Sequence, residues 1–383
     1  MLFDSLSWLA LAAACSWIAL LLVPWRPWST SEHLVVTSPT GPADLSEVTV
    51  LIPARDEASH IAATVAAVRA QGVGHRIIVI DDQSRDGTAE AARHAGAEVI
   101  AGQPLAAGWT GKLWALEQGR RQVVSPLILQ LDADIELRPG VISALIKRQA
   151  AGYGMVSVMA MLPAVATIQK LLLPAYVWFF MLLYPFRLAN GPSPRFAAAA
   201  GGCLLIQSRV LAKLGGYEAI RGRVIDDCAL AAAVKRRGAR TWIGLSRDVI
   251  SRRNCQGVPQ VRDLVARTAF TQLGHSTALL LVLTAVMLVL FWLPLVLLYF
   301  APAASWTAFP WSALVGATAW LAMVMAYAPL LAFYGLSSLW GLTLPIIAAL
   351  YLWMTWVSAW RHWRGRGAQW KGRTYGTDAT NDA

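Results

Sequence analysis

The chain has 383 residues, 56% hydrophobic and only 14% charged, and its mean hydropathy of +0.49 excludes an ordinary soluble globule. A net charge of +11 invites a nucleic-acid reading, but much of the excess gathers in Arg361-His-Trp-Arg-Gly-Arg366 and Lys371-Gly-Arg373, beside an apolar run, where anionic lipid headgroups are the simpler partner. No nucleic-acid module is visible, and Cys15, Cys203, Cys228 and Cys255 lack the paired spacing of a zinc site or a disulfide framework, which suits reduced thiols in a cytoplasmic domain.

Residues 6–23 form an uncharged apolar run long enough to span a bilayer, followed by Trp25, Arg26 and Trp28 at its boundary. No Lys or Arg precedes the run, so residues 1–28 read as a transmembrane anchor with its N-terminus outside rather than as a cleaved signal. The polar stretch 46–275 is large enough for one α/β domain. Its first strand, 48–52, ends at Pro53, and a helix carrying Ile61, Val65 and Val68 on one face follows. A second buried strand, 76–80, runs into Asp81-Asp82. Asp86-Gly87-Thr88 then reads as a turn and helix start, the helix covering 89–95. A short strand at 97–100, a helix at 112–124 and a strand at 127–131 come next, and Pro139 is expected at the first position of another helix. Strand alternating with helix predicts a mainly parallel sheet. Near the C-terminus, 277–300, 311–334 and 337–360 are three further runs of spanning length. Trp306, Trp311, Trp340, Trp356, Trp360 and Trp363 cluster near their ends as an aromatic belt would, so residues 277–360 read as a transmembrane region and 361–383 as a basic tail.

The strand at 127–131 ends in Asp132 and, one residue on, Asp134. In strand-like geometry residues two apart point to one side, so both carboxylates face one hard cation or one sugar-nucleotide. Alone, such a triplet is as well explained by a helix cap or a solvated turn. Asp81 and Asp82, at the same edge of the same sheet, strengthen the functional reading, because open α/β sheets bind ligands beyond the carboxyl ends of their strands. There is no Gly-x-Gly-x-x-Gly after the first strand and no Walker motif. Pro53-Ala-Arg-Asp-Glu57 stands where a nucleotidyltransferase would carry its glycine-rich loop.

Six pieces occur in one order: Val50-Leu-Ile-Pro-Ala-Arg-Asp-Glu57, Val79-Ile-Asp-Asp-Gln-Ser-Arg-Asp-Gly-Thr88, Gly108-Trp-Thr-Gly-Lys112, Asp132-Ala-Asp134, Gly201-Gly-Cys203 and Asp226-Asp227. With them the chain resembles family-2 glycosyltransferases of the GT-A fold over most of residues 48–240. Within that family it looks most like the membrane-bound hopene-associated enzymes, with kinship to those that glycosylate carotenoids and ceramide. The resemblance implies an α/β fold, a GT-A-type mainly parallel mixed sheet flanked by helices, with N-terminal and C-terminal transmembrane helices. It also implies that Pro53, Ala54 and Glu57 border a nucleotide-sugar donor and that Asp82 accepts a hydrogen bond from uracil. Lys112 would approach the diphosphate, and Asp132 would lie near ribose or metal. Asp134 would bind the metal directly, and the cofactor would be a divalent cation, Mg²⁺ or Mn²⁺.

The acceptor side would be lined by Gly201, Gly202 and Cys203. Asp227 would be the base, with Asp226 as the alternative because it replaces the family's usual Glu. Blander readings stand beside these roles. Asp81 and Asp82 also fit a turn cap, Lys112 a solvated helix start, Trp109 plain packing, the glycines tight packing, and Asp226 and Asp227 the cap of a helix over 226–237. The Gln-x-x-Arg-Trp motif of processive synthases is replaced by Arg267-Thr-Ala-Phe-Thr-Gln272, which favours one sugar per acceptor.

Residues 168–189 form another apolar segment, lying between Asp134 and Asp227. One crossing there would put those two residues on opposite sides of the membrane, so the segment is expected to be interfacial and interrupted by Pro174 and Pro185; a buried core helix is the other reading. Together with the resemblance, these features imply a bacterial inner-membrane enzyme with its catalytic domain in the cytoplasm, moving one sugar from a UDP-hexose to a lipid hydroxyl, such as that of a hopanoid or related isoprenoid lipid. Three C-terminal crossings would leave the basic tail outside, against the positive-inside tendency. A polyprenyl-phosphate glycosyl synthase, with Arg221, Arg223, Arg252 and Arg253 facing an acceptor phosphate, is one alternative. A non-catalytic membrane scaffold retaining the fold is another. The sequence identifies no protein partner.

Overall fold

The structure, a computed structural model, describes residues 2–37, 41–253, 255–300, 309–365, 369–370 and 373–374. Trp306, Arg366, Lys371 and most of the basic tail lie outside the described residues. The chain divides into two compact units, one holding residues 31–163 and 186–254, the other residues 1–30, 164–185 and 255–366.

The first unit is built on one eight-stranded mixed sheet. Its strands are β1 (Val48–Ala54), β2 (Arg76–Asp81), β3 (Glu98–Ala101), β4 (Leu127–Leu131), β5 (Ile135–Leu137), β6 (Met155–Met161), β7 (Cys203–Gln207) and β8 (Thr241–Ser251). They lie in the order β3-β2-β1-β4-β7-β6-β8-β5. The pairings β1 with β2 and β4, β2 with β3, and β6 with β8 are parallel. Those of β7 with β4 and β6, and of β5 with β8, are antiparallel.

All seven residues of β1 are buried, as expected of a strand covered on both faces. Side-chain alternation splits the core accordingly. Val50 and Ile52 pack with Leu129, Leu131 and Val79 on one face, and Leu51 packs with Ile78, Ile80 and Ile128 on the other. Helix Ile61–Arg69 buries Ile61, Val65 and Val68 as its spacing predicted, each such side chain contributing about 1.5–3 kcal/mol.

Several expected boundaries are corrected. The first strand runs on through Pro53 to Ala54 rather than ending at residue 52, and the helix expected over 112–124 spans Gly111–Arg120. The helix expected to begin at Pro139 starts at Val141, because Gly140 takes a left-handed turn (φ 93°) just before it. The chain after Asp134 first forms β5, which pairs with the end of β8.

The second unit is helical. Among the described residues it holds three stretches long and apolar enough to cross a membrane, Thr277–Tyr299, Trp311–Phe333 and Ser338–Trp363. Tryptophans here serve packing: Trp17 stacks on Trp178 at 6.1 Å and meets Phe291 edge-on. Their indole N–H groups donate to the carbonyls of Leu290 and Ala326. Helix Thr167–Leu183 belongs to this unit and runs unbroken through Pro174, contrary to the expected interruption. Apolar packing on its buried face offsets the lost hydrogen bond, and Tyr351 Oη donates to the Leu172 carbonyl beside the proline, at 2.8 Å.

Candidate active site

The carboxyl ends of β1, β2 and β4 lie along one edge of the sheet. Because β7 runs antiparallel to β4, its entry is brought to that same edge. Leu131 pairs with Cys203, and the Asp132 N–H donates to the Gly202 carbonyl at 3.0 Å. Gly201 and Gly202 therefore lie beside Asp132 through backbone pairing alone. A Cβ on Gly201 would come within 3.2 Å of Lys112 Nζ and 3.4 Å of Asp227 Cβ, so the close approach favours glycine there.

Pro53 and Ala54 end β1 in the buried core. The loop after β1 is stitched to the loop after β2. The N–H groups of Asp56, Glu57 and Ala58 donate to Ser84 Oγ, Thr88 Oγ1 and Asp86 Oδ2, and the Arg85 N–H returns a bond to Asp56 Oδ1. Asp56 and Gln83 take positive φ of 50° and 60° in these turns. Asp82 is fully buried. Its N–H donates to the Ala54 carbonyl, and its own carbonyl accepts from Arg55 Nη1 at 2.6 Å, with the Arg55 guanidinium 3.9 Å from its carboxylate.

Lys112, in the first turn of helix Gly111–Arg120, gathers the second half of the site. Its ammonium lies 2.7 Å from Asp132 Oδ1, 4.0 Å from Asp226 Oδ2 and 3.4 Å from the Gly201 carbonyl. Burial works against its charge, but the carboxylates of Asp132 and Asp226 prevail and hold it above the usual lysine range. Asp226 and Asp227 open helix Asp226–Arg236. Asp227 accepts from the N–H groups of Gly201 (2.9 Å) and Cys228 (2.7 Å). Burial, followed by the like charge of Asp226, pushes its carboxyl up to about 6. Burial likewise pushes the Cys203 thiol up to about 12, which makes it an inert wall rather than a nucleophile.

Asp134 is nearly buried. Its Oδ2 accepts from Ser251 Oγ at 3.2 Å and lies 3.4 Å from Arg253 Nε, while Arg252 pairs with Glu136. Among the described residues no protein donor reaches Asp132 Oδ2 or Asp134 Oδ1, and no third metal-ligating side chain joins them. Carboxylate oxygens left without a protein donor are hard ligands of the kind that would suit Mg²⁺ or Mn²⁺.

Gln130 and Tyr217, which belong to none of the six motifs, also support the site. Gln130 Nε2 donates to the Gly201 carbonyl at 3.2 Å, and Tyr217 Oη donates to Gln130 Oε1. A glutamine inside an otherwise apolar strand was the available signal, since a buried amide must be hydrogen-bonded.

In the curated relatives, residues of this chain match 4,4'-diaponeurosporenoate glycosyltransferase of Staphylococcus haemolyticus (strain JCSC1435) at 36% identity over 92 residues, 24% of this chain and 24% of the relative. Among solved structures, a mannosyltransferase from Pyrobaculum calidifontis in complex with GDP-Man and Mn²⁺ superposes with a TM-score of 0.54 at 19% identity, covering 93% of this chain and 99% of that one. That likeness establishes the GT-A fold. The family model described as glycosyltransferase like family 2 matches residues 45–254, more than half of the chain, and the chain therefore belongs to the family-2 glycosyltransferases.

Proposed function

We propose that the protein is a membrane-bound inverting enzyme that moves one sugar from a nucleotide-sugar, a UDP-hexose, to the hydroxyl of a lipid such as a hopanoid. The observation that carries this reading is the Lys112 ammonium, set between Asp132 and Asp226, which gathers a donor-side carboxylate and a base-side helix into one cluster. Pro53, Ala54, Glu57 and Asp82 border the nucleoside, and Lys112 turns toward the diphosphate. Asp132 and Asp134 would hold Mg²⁺ or Mn²⁺, which when bound offsets the charge developing on the departing diphosphate.

Asp227 takes the proton of the acceptor hydroxyl. The hydroxyl oxygen then forms its bond to the anomeric carbon from the side opposite the breaking bond to the diphosphate, and the nucleoside diphosphate leaves. A carboxyl near 6 suits this work, being ionised at neutral pH yet more basic than an ordinary aspartate. Gly201, Gly202 and Cys203 line the acceptor side. The helices long enough to span support a membrane setting, which we take to be the bacterial inner membrane with the α/β unit in the cytoplasm, and the 4,4'-diaponeurosporenoate relative supports a lipid acceptor.

A polyprenyl-phosphate acceptor gains less support, because Arg221, Arg252 and Arg253 each lie within ion-pair distance of a carboxylate. The test is mass spectrometry of lipid extracts from cells with and without the protein, alongside release of UDP or GDP from the matching sugar nucleotides by purified membranes. A glycosylated hydroxyl lipid that disappears in Asp227→Asn supports the reading. A sugar carried on a polyprenyl phosphate would replace it, and a GDP-only preference would overturn the uridine assignment.

A further inference from the structure

Lys235 lies in the last turns of helix Asp226–Arg236, whose first residues are Asp226 and Asp227. It is only 5% exposed, and no carboxylate pairs with it among the described residues. Instead its ammonium is enclosed by four backbone carbonyls, those of Ala189 (2.5 Å), Gly191 (2.9 Å), Ser193 (3.3 Å) and Phe196 (2.5 Å). An ammonium has three donors, so the oxygens saturate it. Carbonyls converging from one irregular segment form the kind of oxygen shell that replaces water around a monovalent cation.

The same segment is tied to the same helix at two more points. Cys228 Sγ donates to the Ala199 carbonyl, and the Gly201 N–H donates to Asp227 Oδ2. Between them, Ser157 Oγ bonds both the N–H and the carbonyl of Ala200. Residues 189–201 are thus laid along the helix from Lys235 down to Asp227. Remove the cation and the carbonyls of Ala189, Gly191 and Phe196 face each other without their ammonium donor, while that of Ser193 keeps only the Phe196 N–H at 3.4 Å, and the strain runs toward Gly201.

We propose that Lys235 is a positioning residue for transfer, a fixed internal cation whose grip on the carbonyls of 189–196 keeps the Gly201 N–H on Asp227. The catalytic part rests on Asp227 being the base; the cation cage does not. The test is Lys235→Ala in the full-length enzyme, assayed in ammonium, potassium, lithium and tetramethylammonium salts, with Lys235→Met as a companion whose side chain fills the cavity. Lys235→Ala should lose up to about a hundredfold in kcat, as a small misplacement of a reacting group does, with KM for the donor little changed. Ammonium or potassium should restore part of the loss saturably, and lithium and tetramethylammonium should not. Lys235→Met should lose kcat without any rescue.

Melting temperature provides the second readout. Ammonium should raise that of Lys235→Ala selectively over tetramethylammonium, with no such selectivity in the parent protein. A cation-selective melting shift with kcat equal to the parent's would overturn the positioning role. Loss of kcat and donor KM together, with no cation selectivity in either readout, would reduce Lys235 to a folding residue and sink the proposal. If the parent itself turns over no sugar while the melting selectivity appears, the enzymatic reading has failed and the cage has not.

Discussion

The Asp132/Asp134 turn and the Asp226/Asp227 helix start each bring two carboxylates to the same sheet edge, but their surroundings differ. Each member of the first pair faces a cation, Lys112 for Asp132 and the Arg253 guanidinium for Asp134. In the second pair Asp226 has only a share of Lys112 at 4.0 Å, and Asp227 is held by backbone N–H groups and pushed up to about 6 by burial and its neighbour. Environments that treat like residues so differently separate their tasks. The first pair is suited to cations and anionic ligand oxygens, the second to a proton.

Asp227→Asn should break that contrast most severely. Transfer should fall by about 10²–10⁴-fold, the usual worth of a general base, while metal-dependent nucleotide binding, followed by tryptophan fluorescence, stays intact. Turnover near the parental rate would move the base to Asp226 or elsewhere. Asp134→Ala should act on the other side of the comparison. It should cost several kcal/mol of metal-assisted stabilisation, read as weaker Mn²⁺-dependent UDP binding. Identical titrations with and without Mn²⁺ in the parent enzyme would remove the metal from this turn.

Lys112 belongs to both pairs, so pH should expose how it is shared. The acidic limb of kcat/KM is expected near pH 6, since a base at Asp227 must be ionised to accept a proton. Lys112→Met removes a positive charge that favours the ionised form and should move the limb upward by about a unit or more. Asp226→Asn removes a like charge and should move it downward, toward the ordinary aspartate range. Limbs that do not move in opposite directions would mean that the limb belongs to some other group.

The half of the candidate site proposed for the donor was open to sequence reading because it is local. Each of β1, β2 and β4 is a continuous apolar run, and its candidate residues follow within a few positions, as Asp82 and Asp132 do. Family order then supplied Gly201 and Asp227. Hidden were the features that depend on pairing between distant segments. The antiparallel β7 delivers Gly202 to Asp132, β8 delivers Ser251 and Arg253 to Asp134, and Tyr217 reaches Gln130 from a short 3₁₀ turn. Pro139 alone is ambiguous because proline suits both a helix start and a turn, and Gly140 decides between them by taking positive φ.

The smallest effect is a stability difference whose sign separates the two pairs. The folded protein holds the Asp227 proton up to about pH 6 against an ordinary value of 3.8, so the fold binds that proton more tightly than the unfolded chain does. Its contribution to stability is complete below about pH 4 and is lost as pH rises through about 6. Above that the ionised carboxylate burdens the fold, and Asp227→Asn should melt higher than the parent at pH 7.5, the difference vanishing near pH 4. Asp132→Asn should do the reverse at pH 7.5, because it takes the nearest counter-charge from the ammonium of Lys112, which is largely withdrawn from solvent. Thermal melts of the two variants across that pH range measure both signs. If both variants melt lower at pH 7.5, Asp227 is a structural cap like any other helix-start aspartate, and the division of labour between the pairs is lost.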